Sequence, residues 1–121
     1  LLWLLIQNGT LQNGSVLCWD EPESNLNPKH SRTVVEVLLA LGEMGVQVFI
    51  ATHDYFMLKE LDLQRRPDDK VIIHSLFKEK EDGDVRISQA NSYIDINPNV
   101  IADTFSDVLA RDLQREMEKT Q

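Results

Sequence analysis

Asp20 and Glu21 stand side by side directly after the apolar run Val16-Leu17-Cys18-Trp19. A short apolar run of this kind marks a strand covered on both faces. In open parallel sheets, ligands bind beyond the carboxyl ends of the strands. Two carboxylates released at such an end suit a magnesium nucleotide. One acid can hold the hydrated metal, usually through water. The other can accept a proton from an attacking water. A second apolar run, Val46 to Ala51, ends in Thr52-His53-Asp54. An imidazole there can donate a hydrogen bond to phosphate and sense its loss. Each feature alone has a plainer reading: two solvated acids at a strand end, or a structural histidine. Together they suit a magnesium nucleotide beyond the strand ends.

These residues need a scaffold, and the sequence supplies its elements. Leu1 to Gln7 reads as the end of a buried helix with Asn8-Gly9 as its C-cap. That helix begins with no capping residue, which suggests that part of it precedes Leu1. Asn13-Gly14 marks a turn, and Glu21 to Asn27 a polar loop. Asn27-Pro28 opens a helix, with Asn as N-cap and Pro at its first position. Val34, Val35, Leu38, Leu39 and Leu41 give that helix an apolar stripe, and Gly42 and Gly45 bracket its end. Asp54 can cap a third helix carrying Phe56, Met57, Leu58 and Leu61. Val71 to Phe77 and Val85 to Ser88 flank Asp82-Gly83, a hairpin signal. Asn97-Pro98 repeats the helix-start chemistry before a helix bearing Ile101, Phe105, Val108 or Leu109, and Leu113. Strand, helix, strand with short links implies a parallel crossover and an α/β fold.

Composition sets outer limits. The chain has 121 residues, a net charge of −8 and 42 % apolar residues. The apolar share suits a globular core and argues against disorder. The acidic balance disfavours a general nucleic-acid clamp, which carries a basic face. Cys18 is the only cysteine, so no disulfide framework exists within one chain, and a reducing, cytoplasmic setting is expected. Leu1 to Ile6 is too short to span a bilayer, and no other segment reads as a membrane span.

The motifs resemble those of a known superfamily. Val16 to Pro22 resembles the Walker B motif of ABC-type ATPases, in which the glutamate directly follows the aspartate. Ser24-Asn25-Leu26-Asn27 looks like the D-loop, which lines the interface between two nucleotide domains. Ala51 to Asp54 looks like the H-switch, whose histidine reaches the terminal phosphate of ATP. The run from Leu2 to about Leu63 is similar to bacterial AAA-type ATP-binding proteins grouped near the RecF, SMC and OLD ATPases. Their recurring patterns read here as Asp20 to Pro28 and Ala51 to Tyr55.

The resemblance implies that residues 1–121 are one partial domain. It would be the C-terminal part of a P-loop NTPase parallel-sheet domain, ending in a hairpin and a helix. It further implies ATP and magnesium as ligands, with Asp20 positioning the metal, Glu21 polarising water and His53 contacting the terminal phosphate. Ser24, Asn25, Leu26 and Asn27 would line the site and couple two domains that sandwich ATP, most simply in a homodimer. A nucleic acid or protein partner of the parent protein is not readable. Residues 1–121 contain no Gly-x-x-x-x-Gly-Lys-Ser/Thr phosphate loop and no signature motif. The chain alone is therefore expected to be inactive. In the superfamily the His53 strand lies between the Asp20 strand and the phosphate-loop strand. One flank of Gln47 to Ala51 is then left open, to be covered by Val71 to Phe77 or by a second copy.

Two other functions remain in view. One is a non-catalytic interaction module that keeps the fold. The other is a magnesium-dependent nuclease on Asp20 and Glu21, which would need a wider acidic cluster than the sequence offers. The remaining candidates have plain readings. Cys18 is expected to be a small core residue, Trp19 a packing residue, His30 exposed and His74 structural. Glu79 to Asp84 lacks calcium-loop spacing and reads as a solvated hairpin tip.

Overall fold

The computed structural model describes residues 1–120 and divides into two compact units, one from Leu1 to Val71 and one from Ile72 onward. In the first, helix α1 (Leu2–Gln7) precedes strand β1 (Val16–Asp20). A 3-10 turn (Pro28–His30) leads into α2 (Ser31–Glu43), followed by β2 (Gln47–Ala51) and α3 (Tyr55–Gln64). The two strands are parallel and in step, from Val16 opposite Gln47 to Asp20 opposite Ala51. Their carboxyl ends therefore coincide. The second unit holds the antiparallel hairpin β3 (Ile73–Lys78) and β4 (Val85–Ala90), then the helix α4 (Val100–Lys119). The architecture is thus α/β, with a parallel core followed by a hairpin and a helix.

The elements begin where the sequence places their caps. Asn27 accepts a hydrogen bond from the Lys29 amide at 3.1 Å, and Pro28 takes the first position of the turn. Asp54 accepts from the Phe56 amide at 3.0 Å and starts α3. α2 ends at Met44 and Gly45, whose φ of 85° is open to glycine and costly for other residues. The last helix departs from expectation. Its cap is Asn99, accepting from the Ala102 amide at 3.0 Å, rather than Asn97. Pro98 therefore precedes the helix and does not occupy its first position.

Two small apolar clusters hold the first unit. Leu11, Leu41 and Val46 form one, flanked by Leu2, Leu5 and Leu17. Val35, Leu38 and Met57 form the other, flanked by Trp19, Val48 and Ile50. The stripe of α2 thus meets the inner face of the sheet, as its spacing requires.

The outer face does not follow the sequence reading. Burial alternates along both strands, and Val16, Cys18 and Phe49 are exposed. The strands are covered on one face only, because α2 and α3 are packed with their inner residues alone. Cys18 is accordingly a surface residue and not a core one. Among the described residues, β2 pairs only with β1, so its other edge is open. Ile73–Lys78, expected as one possible cover, pairs with Val85–Ala90 in a hairpin of the second unit. The stripe of α4 is exposed too, at Phe105, Val108, Leu109 and Leu113.

Candidate functional site

The in-step register brings the two candidate strand ends together. The Glu21 amide donates to the Ala51 carbonyl at 2.8 Å, extending the ladder one residue past Asp20. At Glu21 the chain turns with φ of 48°, in the left-handed region. A non-glycine residue there costs about 1–2 kcal/mol. Such outliers concentrate at functional sites, where the surrounding structure holds them. The turn places a Glu21 carboxylate oxygen 2.9 Å from Nδ1 of His53. The Glu21 side chain is half-exposed and that of His53 is largely exposed. Residues 32 positions apart thus form one polar pair beyond the carboxyl ends of parallel strands, the position where open sheets bind ligands.

Asp20 lies just behind this pair. It shares the outward row of β1 with Val16 and Cys18 and is exposed. Ser24, Asn25, Leu26 and Asn27 are exposed in the loop that follows. Successive turns shape that loop: the Ser24 amide donates to the Glu21 carbonyl and the Leu26 amide to the Glu23 carbonyl. Asn25 adopts φ of 65°, a conformation that asparagine tolerates better than most residues. The structure therefore joins Glu21 to His53, leaves Asp20 adjacent, and presents the loop at the same end of the sheet.

Two residues here escaped the sequence reading. The Thr52 hydroxyl donates to a Glu23 carboxylate oxygen at 2.6 Å. The same hydroxyl accepts from the Asp54 amide at 3.0 Å. The other oxygen of Glu23 is buried without a hydrogen-bond partner. In the sequence Glu23 falls within the Asp20 to Pro28 pattern and has no separate role. A carboxylate two residues beyond Glu21, on the same loop, was the available signal.

A magnesium ion can be weighed against these donors. Among the described residues no group of three or more His, Cys, Asp or Glu side chains is placed to hold a metal. Magnesium rarely uses such a cage. It commonly takes one or two carboxylates, with water and nucleotide phosphates completing the shell. An exposed Asp20 beside Glu21 fits that partial role. His30 is exposed, as expected, and His74 faces Gln89 across the hairpin at 3.4 Å, remote in sequence from this site.

No helix of the described residues is long and apolar enough to cross a membrane. Residues 1–59 match the family model described as "AAA domain, putative AbiEii toxin, Type IV TA system". The chain is 39 % identical over 49 residues to a "Putative ABC transporter ATP-binding protein" of Methanosarcina acetivorans, covering 40 % of this chain and 18 % of that protein. It is 37 % identical over 46 residues to the "Cell division ATP-binding protein FtsE" of Mycobacterium tuberculosis, covering 38 % of this chain and 20 % of that protein. The chain thus spans about a fifth of the length of these curated relatives. No solved structure matches it significantly. Over its first half, the chain carries a distant, partial homology to AAA-domain and ABC-type ATPases of the P-loop NTPase superfamily.

Proposed function

We propose that this chain supplies the hydrolytic end of an ABC-class ATPase domain, two of which sandwich ATP in a homodimer. The observation that carries the reading is the Glu21–His53 pair at 2.9 Å beyond two in-step parallel strands. The relatives named as ATP-binding proteins support the same ligand. In this reading Glu21 takes the proton of the attacking water. His53 holds Glu21 in place through Nδ1 and contacts the terminal phosphate with its other ring nitrogen. Asp20 orients magnesium through water, and the ion supplies charge neutralisation at the phosphates when bound. Ser24, Asn25, Leu26 and Asn27 form the face toward the second domain. The RecF, SMC and OLD group is the proposed neighbourhood, with a cytoplasmic setting and residues 1–121 as one partial domain.

The division of labour is testable. Phosphate recognition needs backbone amides and a lysine that residues 1–121 do not offer in a phosphate loop. The purified chain is expected to show no ATP turnover and only weak nucleotide binding. Robust magnesium-dependent hydrolysis by the chain, abolished by Glu21→Gln, would overturn that division. In the longer protein, His53→Ala is expected to slow turnover. Wild-type turnover in that variant would remove His53 from the site.

A further inference from the structure

Two bridges, not one, cross between the loops that follow β1 and β2. The first is Glu21 to His53 at 2.9 Å. The second is Thr52 to Glu23 at 2.6 Å, a length typical of a hydroxyl donating to a carboxylate. The bridges use neighbouring residues on each loop, 21 and 23 on one side and 52 and 53 on the other. Thr52 is also fixed from behind, since its oxygen accepts from the Asp54 amide at 3.0 Å. Asp54 in turn caps α3 through the Phe56 amide. His53 therefore sits between two residues whose side chains are tied, although its own ring is largely exposed.

An exposed polar pair of this sort has little energy of its own, at most about 0.2–1 kcal/mol. Such a pair does not hold a ring in one orientation without support. The support on the page is Glu23. Its second oxygen is buried without a partner, so the carboxylate is held in place at a desolvation cost. A polar group kept at such a cost points to a role in fixing geometry.

We propose that Glu23 is a positioning residue for the Glu21–His53 pair, acting through the Thr52 hydroxyl. Its catalytic meaning rests on the ATPase reading above, whereas the contact itself does not. Glu23 needs only to accept a hydrogen bond, and Thr52 only to donate one. Glutamine at 23 and serine at 52 preserve the bridge. Leucine at 23 and valine at 52 abolish it.

The test reads the His53 ring in the 121-residue chain by nitrogen-15 NMR in mildly alkaline buffer. A neutral imidazole donating from Nδ1 to a carboxylate gives ring-nitrogen shifts distinct from those of a free ring. The wild type is expected to show the Nδ1–H form, and Glu21→Ala the free-ring pattern. Glu23→Leu and Thr52→Val are expected to move His53 to the Glu21→Ala pattern. Glu23→Gln and Thr52→Ser are expected to keep the wild-type pattern. Thr52→Val changes one hydroxyl and no charge, and it carries the test should Glu23→Leu fail to fold. Wild-type shifts in Thr52→Val would overturn the inference, as would a free-ring pattern in Glu23→Gln. A free-ring pattern in the wild type would overturn the site itself, a failure distinct from that of Glu23 alone.

Discussion

Replacing Glu21 by glycine and by alanine separates backbone strain from side-chain contact. Both variants lose the His53 contact, which is worth about 0.2–1 kcal/mol between partly exposed groups. They differ at φ of 48°. Alanine keeps a Cβ in the left-handed region and retains a strain of about 1–2 kcal/mol. Glycine releases it but costs about 0.5–1 kcal/mol in unfolded-state entropy. The difference leaves Glu21→Gly more stable than Glu21→Ala, by about 0.75 kcal/mol at the midpoints of the two ranges. That order reverses the usual one for these two residues. A β-branched residue should be worse than either, so Glu21→Val is expected to be the least stable of the three. Urea unfolding followed by tryptophan fluorescence reads the ordering, since Trp19 lies two residues away and is half-buried against the core. Glu21→Ala matching or exceeding Glu21→Gly would refute the claim that position 21 is strained.

Met57 is buried at 1 % exposure beneath α2, and Met57→Ala should cost about 2–5 kcal/mol in the same urea assay. Asn99→Ala should lower α4 stability by about 1 kcal/mol, while Asn97→Ala should leave it unchanged, as read by circular dichroism on heating. The Gln47 amide donates to Ser15 in the β1 direction, so strand alternation aims the Phe49 amide the same way and the Val48 and Ile50 amides at the open edge. Hydrogen exchange should therefore be slow at Phe49 and fast at Val48 and Ile50. Equal protection would show that another strand has added to the edge.

Local signals in the sequence carried much of this fold. Asn27-Pro28 marks the start of the 3-10 turn that leads into α2, three residues before the α-helix itself, and Asp54 marks the start of α3, because capping is a contact between near neighbours. Val16 to Asp20 and Gln47 to Ala51 are strands because their apolar runs are short and bounded by turn residues. Burial was less legible. Val16, Cys18 and Phe49 look like core residues in composition, but whether a second layer covers them depends on distant chain. Asn97 and Asn99 flank Pro98 and each can cap a helix, and composition does not choose between them. The site divided along the same line. Glu21 and His53 were legible because each follows closely on a short apolar run. Glu23 and Thr52 were not, because their meeting depends on the register of β1 against β2 and on the turn at Glu21.

The most direct test of the account is ATP turnover by the proposed longer protein carrying Glu21→Gln. Glutamine keeps the shape of the side chain and cannot take the proton from water. The account predicts that ATP still binds, that turnover falls about 10²- to 10⁴-fold, and that an ATP-bound dimer accumulates. Turnover at the wild-type rate, with ATP bound as before, would contradict it.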